Sequence, residues 1–129
     1  MVIDSNPSTA TYYFLQSEND MVYNLDLEFR IDGMASRFPR LDKRKMFGGI
    51  GYILNGNMSF GIYKDYLIVR TSSEIAEELL KREDVKPFDI TGKAMKGWVM
   101  VSPDYVETND ELFSILKTSI DFAENLPRK

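Results

Sequence analysis

Residues 45–70 read KMFGGIGYILNGNMSFGIYKDYLIVR, and the Asn55-Gly56 step inside them decides the fold. A type I′ turn needs positive φ at both central residues, which makes Asn-Gly the strongest short signal for a β-hairpin. On this reading Lys45 to Leu54 is one strand and Met58 to Tyr63 is its partner. In the second strand Met58, Phe60 and Ile62 alternate with Ser59, Gly61 and Tyr63, so one side is expected to face a core. Lys64-Asp65 makes another tight turn into a third strand, Tyr66 to Arg70. A three-stranded antiparallel meander results.

Downstream the pattern changes to helix. Ser72 or Ser73 caps a segment running to about Arg82, with Glu74, Glu77 and Glu78 early in it, where they complement the helix dipole. Ile75, Ala76, Leu79 and Leu80 are its expected buried stripe. Pro87-Phe88 reads as extended chain, followed by a glycine-lysine loop and a further strand around 98–101. The last element carries a Thr108-x-x-Glu111 capping box, a repeating face of Leu112, Ile115, Leu116, Ser119, Ile120 and Ala123, and Pro127 beyond its end. Helices mixed with an antiparallel meander define the fold class as α+β.

Upstream the reading is less determinate. Leu25, Leu27, Phe29 and Ile31 alternate with polar residues as in a half-buried strand, yet Leu27, Ile31, Met34, Ala35 and Phe38 also fit a helical stripe. Asp20 could cap that helix and Pro39 would stop it. Residues 1–20 differ in character: Ser, Thr and Asn are frequent, and Tyr12-Tyr13-Phe14-Leu15 forms an isolated apolar knot. They read as a flexible leader or as an arm that docks by its aromatic knot.

At 129 residues, one core is expected, large enough to need no staples. There is no cysteine and no histidine. Disulfides, thiolate zinc sites, thiol nucleophiles, Ser-His-Asp schemes and histidine-ligated metals are therefore excluded within the chain. An enzyme here would depend on carboxylates, lysine, tyrosine or a cofactor, and no complete catalytic constellation, metal site or cofactor motif is present. The net charge of −4 argues mildly against nucleic acid as a direct ligand. No apolar run is long enough to span a bilayer, and the start lacks a signal-peptide pattern, so a cytoplasmic location without membrane contact is expected.

Three stretches invite a functional reading. Gly48-Gly49-Ile50-Gly51 lacks the spacing and the strand-to-helix setting of a phosphate loop, so its glycines mark a bulge or a close approach of another group. Thr91 to Trp98 places Lys93 and Lys96 in a glycine-bounded loop beside the only tryptophan. Such a loop can cradle a phosphate or carboxylate, or it is simply a solvated loop anchored by Trp98. Arg37, Arg40, Lys43, Arg44 and Lys45 form a basic stretch able to meet an acidic surface or a nucleic-acid backbone, although runs of this kind commonly form a solvated face.

The order of motifs from Lys45 onward resembles the TfoX (Sxy) N-terminal domain family. The likeness is carried by Lys45-Met46-Phe47-Gly48-Gly49, Asn55-Gly56-Asn57-Met58, Leu67-Ile68-Val69-Arg70, Pro87-Phe88-Asp89 with Thr91-Gly92, Met95-Lys96-Gly97-Trp98-Val99, and Phe122-Ala123 with Leu126-Pro127-Arg128-Lys129. Met21-Val22-Tyr23 and Arg30 resemble the start of the domain, so the likeness covers residues 21–129, and it favours the helical reading of residues 20–38. It implies two layers, an antiparallel sheet with helices packed on one face. It also implies a regulator rather than an enzyme, TfoX itself being a regulator of natural competence that carries a second domain. The expected function is a non-enzymatic regulatory domain that binds a protein, with the transcription machinery as the partner class. The alternative is a small-molecule or anion binder using the Gly92–Trp98 loop. Lys93, Lys96 and Trp98, with Gly48 and Gly49, are the expected contact residues. Hairpin edges in so small a sheet leave pairing of two copies as a homodimer open.

Overall fold

Six antiparallel strands and three α-helices make up residues 23–46, 48–89 and 95–129, the residues described by the computed structural model. Helix α1 (Leu25–Gly33) runs into a 3-10 turn (Ala35–Arg37). Strands β1 (Asp42–Met46), β2 (Gly49–Leu54), β3 (Asn57–Tyr63) and β4 (Tyr66–Arg70) then form a meander. Helix α2 (Ser73–Leu79) leads to β5 (Val85–Pro87) and β6 (Trp98–Val101), and a 3-10 turn (Pro103–Val106) precedes α3 (Asn109–Glu124). The strands lie in the order β1-β2-β3-β4-β6-β5.

The Asn55-Gly56 hairpin forms as the sequence predicts, with φ of 54° and 84°. Residues after α3 hold it from outside: the Asn57 amide donates to the Pro127 carbonyl at 2.9 Å and the Lys129 N–H to the Asn55 carbonyl at 2.9 Å. One face of the sheet presents Tyr52, Phe60, Ile62, Leu67, Val69, Val99 and Val101 to a single core. Leu27 and Ile31 of α1, Ala76 of α2 and the Leu112–Ala123 stripe of α3 all belong to that core, so the helices share one side of the sheet. Each fully buried Leu or Ile there contributes about 1.5–3 kcal/mol through removal of apolar surface from water.

Several elements depart from the sequence reading. Lys45 to Leu54 is not one strand: the chain reverses around Gly48, whose φ is +76°, and the basic stretch upstream becomes β1, paired to β2. Phe47 lies outside the described residues. A strand was not expected from five mostly exposed, mostly charged residues, because an edge strand facing water shows no apolar alternation. In β3 the register slips one residue between Tyr52–Phe60 and Ile53–Met58, a bulge that places Ser59 opposite no partner. Met58 therefore does not share the core side of Phe60 and Ile62, whereas Ser59 reaches Ser119 of α3 with their hydroxyl oxygens 2.9 Å apart.

Residues 25–33 are helical, capped by Asn24, whose side chain accepts the Leu27 N–H at 3.0 Å, rather than by Asp20. Leu27, Ile31 and Met34 are buried while Phe29 is 77% exposed, so the helical stripe and not the strand alternation governs packing. Helix α2 is shorter than expected, ending at Leu79; of its expected stripe Ala76 is buried and Ile75 stands exposed at the rim of a groove between α2 and α3. Helix α3 carries the expected capping box in full. Residues 1–20 lie outside the described residues. No helix among the described residues is long and apolar enough to cross a membrane.

Candidate functional site

Strand alternation sends every second residue of this sheet away from the helices. On that side, which is helix-free among the described residues, β2 and β3 contribute mostly backbone, because Gly49, Gly51 and Gly61 stand there. A Cβ on Gly49 would collide with the Ile62 carbonyl, and one on Gly61 with the Ile50 carbonyl. Methionines fill the space above the glycines: Met46 places Sδ and Cε 2.9 Å from where a Gly51 Cβ would be, and Met58 Cε lies equally close to that of Gly61. Ile53, Ile68 and Phe88 are buried, yet none belongs to the main core. They form the floor of a second, smaller apolar layer.

Aromatic rings cross this side in a row. The Phe88 ring stands between Tyr63, centroids 6.2 Å apart and edge-on, and Trp98, 6.0 Å apart and tilted. Cations accompany the aromatics. The Arg70 guanidinium lies 5.3 Å from the Trp98 ring and donates to the Met58 carbonyl at 3.3 Å. Lys64 lies 5.3 Å from the Tyr63 ring and Lys86 5.4 Å from that of Tyr66. Carboxylates concentrate instead on the helices and their caps, at Glu28, Asp32, Glu74, Glu78, Asp110 and Glu111 among others. An acidic chain thus presents a basic and aromatic sheet surface.

The basic stretch does not act as one patch. Lys43 is clamped between Glu28 and Asp32 of α1, at 2.6 Å from each. Asp32 also accepts from the Tyr52 hydroxyl at 3.1 Å, and Glu28 from that of Tyr23 at 2.8 Å. Burial opposes the Lys43 charge, but the hydrogen bonds to Asp32 and Glu28 outweigh it and hold its pKa above the ordinary value. Burial, followed by the Asp32 charge, pushes the Tyr52 phenol well above its ordinary range. Arg37 lies over Phe113, 3.8 Å from the ring centroid, and that ring stacks in turn on Phe38 at 5.1 Å. Arg40, Arg44 and Lys45 are left exposed.

Of the other residues singled out by sequence, Lys93 lies outside the described residues, with Gly92. Lys96 is exposed in the turn before β6, next to Gly97 at φ +84°, whose carbonyl accepts the Thr71 N–H at 2.8 Å. Trp98 is half-buried and Gly49 buried on the same helix-free side, and Gly48 occupies the exposed β1–β2 turn. Trp98 therefore does not anchor the main core. Among the described residues no group of three or more acidic side chains is placed to hold a metal ion. Sequence reasoning missed Tyr63, Arg70, Phe88 and Met100 as companions of Trp98 on this side. Only Gly51 and Gly61, small residues facing each other in β2 and β3, hinted at something lying across the sheet.

A family model described as the TfoX N-terminal domain matches residues 33–123. No curated protein and no solved structure matches the chain.

Proposed function

Because this chain belongs to the TfoX N-terminal domain family, we propose that it is a non-enzymatic regulatory domain that acts by binding another protein through the helix-free side of its sheet. The observation that supports this is the composition of that side. Trp98 and Tyr63 stand half-exposed on the side that carries Met46, Met58 and Met100, outside the main core, and Arg70 bridges from Trp98 to the Phe122 ring of α3, 5.8 Å away. Aromatic residues, Arg and Met are the types enriched at protein interfaces, and Trp, Tyr and Arg most often dominate their energy. Methionine adapts its shape to a partner at little cost. The rim charges Arg70, Lys64 and Lys86 favour an acidic partner surface. The regulatory part of the reading rests on the family, whose competence regulator makes the transcription machinery the partner class to test first. The non-enzymatic part rests on a chain without histidine or cysteine.

Photo-crosslinking in cells that make the protein tests the reading. A photoreactive residue at Tyr63 or Met100 is expected to trap one discrete protein species. The same residue at Lys117, on the exposed side of α3, is expected to trap none. Equal, diffuse labelling from both sides would refute a dedicated interaction face.

A further inference from the structure

The two edges of the sheet are built differently. Edge strand β5 has three residues and ends in Pro87, which has no N–H to offer a neighbour. Edge strand β1 has five residues, the first four exposed, with no proline and an unbroken register against β2 from Asp42–Ile53 to Met46–Gly49. Every second backbone N–H and C=O of such a strand points outward, and among the described residues no strand pairs with them.

Resting on the reading that this domain binds protein, we infer that β1 accepts an extended, acidic segment of a partner protein as a seventh strand. Backbone pairing supplies the affinity in this recognition mode, and side chains supply the choice. The Lys43 charge is already matched by Glu28 and Asp32. Arg44 and Lys45 remain, projecting to opposite sides of the sheet, with Arg40 exposed just ahead of the strand and Asp42, at its first position, the one carboxylate among them. A strand carrying carboxylates on both of its sides would meet a cation on each. A second copy of this chain is disfavoured, since antiparallel self-pairing centred on Arg44 sets Arg44 against Arg44 and Lys43 against Lys45. Single-stranded nucleic acid is disfavoured as well, because β1 carries no aromatic side chain on which a base could stack.

The test titrates the full chain with an end-blocked synthetic peptide of about six residues alternating glutamate and valine, matched to ordinary strand length. Saturable binding is expected, together with slowed hydrogen exchange of the β1 amides. Three comparisons decide the matter. The same peptide N-methylated along its pairing edge keeps its charge and is expected to lose binding; equal binding would reduce the site to a charged patch and overturn strand addition. An R44E/K45E variant is expected to bind the acidic peptide at least about tenfold more weakly, since each exposed ion pair is lost and replaced by repulsion. Unchanged affinity, or oligothymidylate protecting β1 where the peptide does not, would overturn the proposed partner. Crosslinks from Tyr63 and Met100 without peptide binding at β1 would defeat this inference and leave the face reading standing. Peptide binding without those crosslinks would do the reverse.

Discussion

Ser119 holds the most demanding polar position in the protein. It is fully buried on α3, and its hydroxyl lies 2.6 Å from the Ser59 carbonyl, 2.8 Å from the Arg70 carbonyl and 2.9 Å from the Ser59 hydroxyl. With one proton to give, Ser119 donates to a carbonyl and accepts from Ser59, which leaves neither buried hydroxyl unpaired. Ser119→Ala removes the acceptor that satisfies Ser59. A loss of about 1–3 kcal/mol in urea unfolding is expected, with the slope of the transition unchanged. A loss below a few tenths of a kcal/mol would mean that Ser59 finds another partner. The sequence placed Ser119 on the buried face of the last helix but gave no reason for a serine there. That reason is the bulge in β3, which depends on register with another strand.

Among the elements, α3 was the most legible, because its signals are local. Thr108 accepts the Glu111 N–H at 3.1 Å and the Glu111 carboxylate accepts the Thr108 N–H at 3.0 Å, both within one turn. The N–H of Thr108, then its hydroxyl, hold the Glu111 carboxyl below its ordinary range. Thr108→Ala is expected to cost about 1 kcal/mol of stability by thermal or chemical unfolding, as for other N-cap removals. A neutral effect would show that the start of α3 is held mainly by Arg30. That side chain donates to the Asn109 side chain at 3.0 Å and to the Val106 carbonyl at 2.7 Å. The least legible elements were β1 and β5. Neither strand shows alternation, since one is a charged edge and the other has three residues, and each exists through pairing with a neighbour.

Across the whole molecule, the Tyr23–Glu28–Lys43–Asp32–Tyr52 network ties the helix layer to the sheet edge. Its pKa shifts have one sign. Tyr52 and Lys43 both hold their protons more tightly folded than unfolded, so their contribution is complete below the ordinary values near pH 10. That contribution is lost as pH rises from there toward the raised values, because the unfolded chain releases protons first. Alkaline unfolding is therefore expected to steepen above about pH 10, and Tyr52→Phe to flatten that dependence. An identical alkaline profile in the variant would remove Tyr52 from this role. The candidate site was readable in fragments, as Trp98, Gly49 and the cations of residues 37–45. Its assembly was not, because Phe88, Tyr63 and Trp98 come from three separate segments, and whether Lys43 is free or clamped depends on where α1 lands. By itself the sequence determined the α+β class, the Asn55-Gly56 hairpin, the caps and stripe of α3 and the family, all of which rest on turn chemistry, local hydrogen bonds or short-range order. Tertiary structure alone decided the reversal at Gly48, the bulge at Ser59, the second apolar layer on the side of Trp98 and, among the described residues, the unpaired edge at β1. Strand register and sheet order set these, and both are fixed by contacts between residues far apart in the chain.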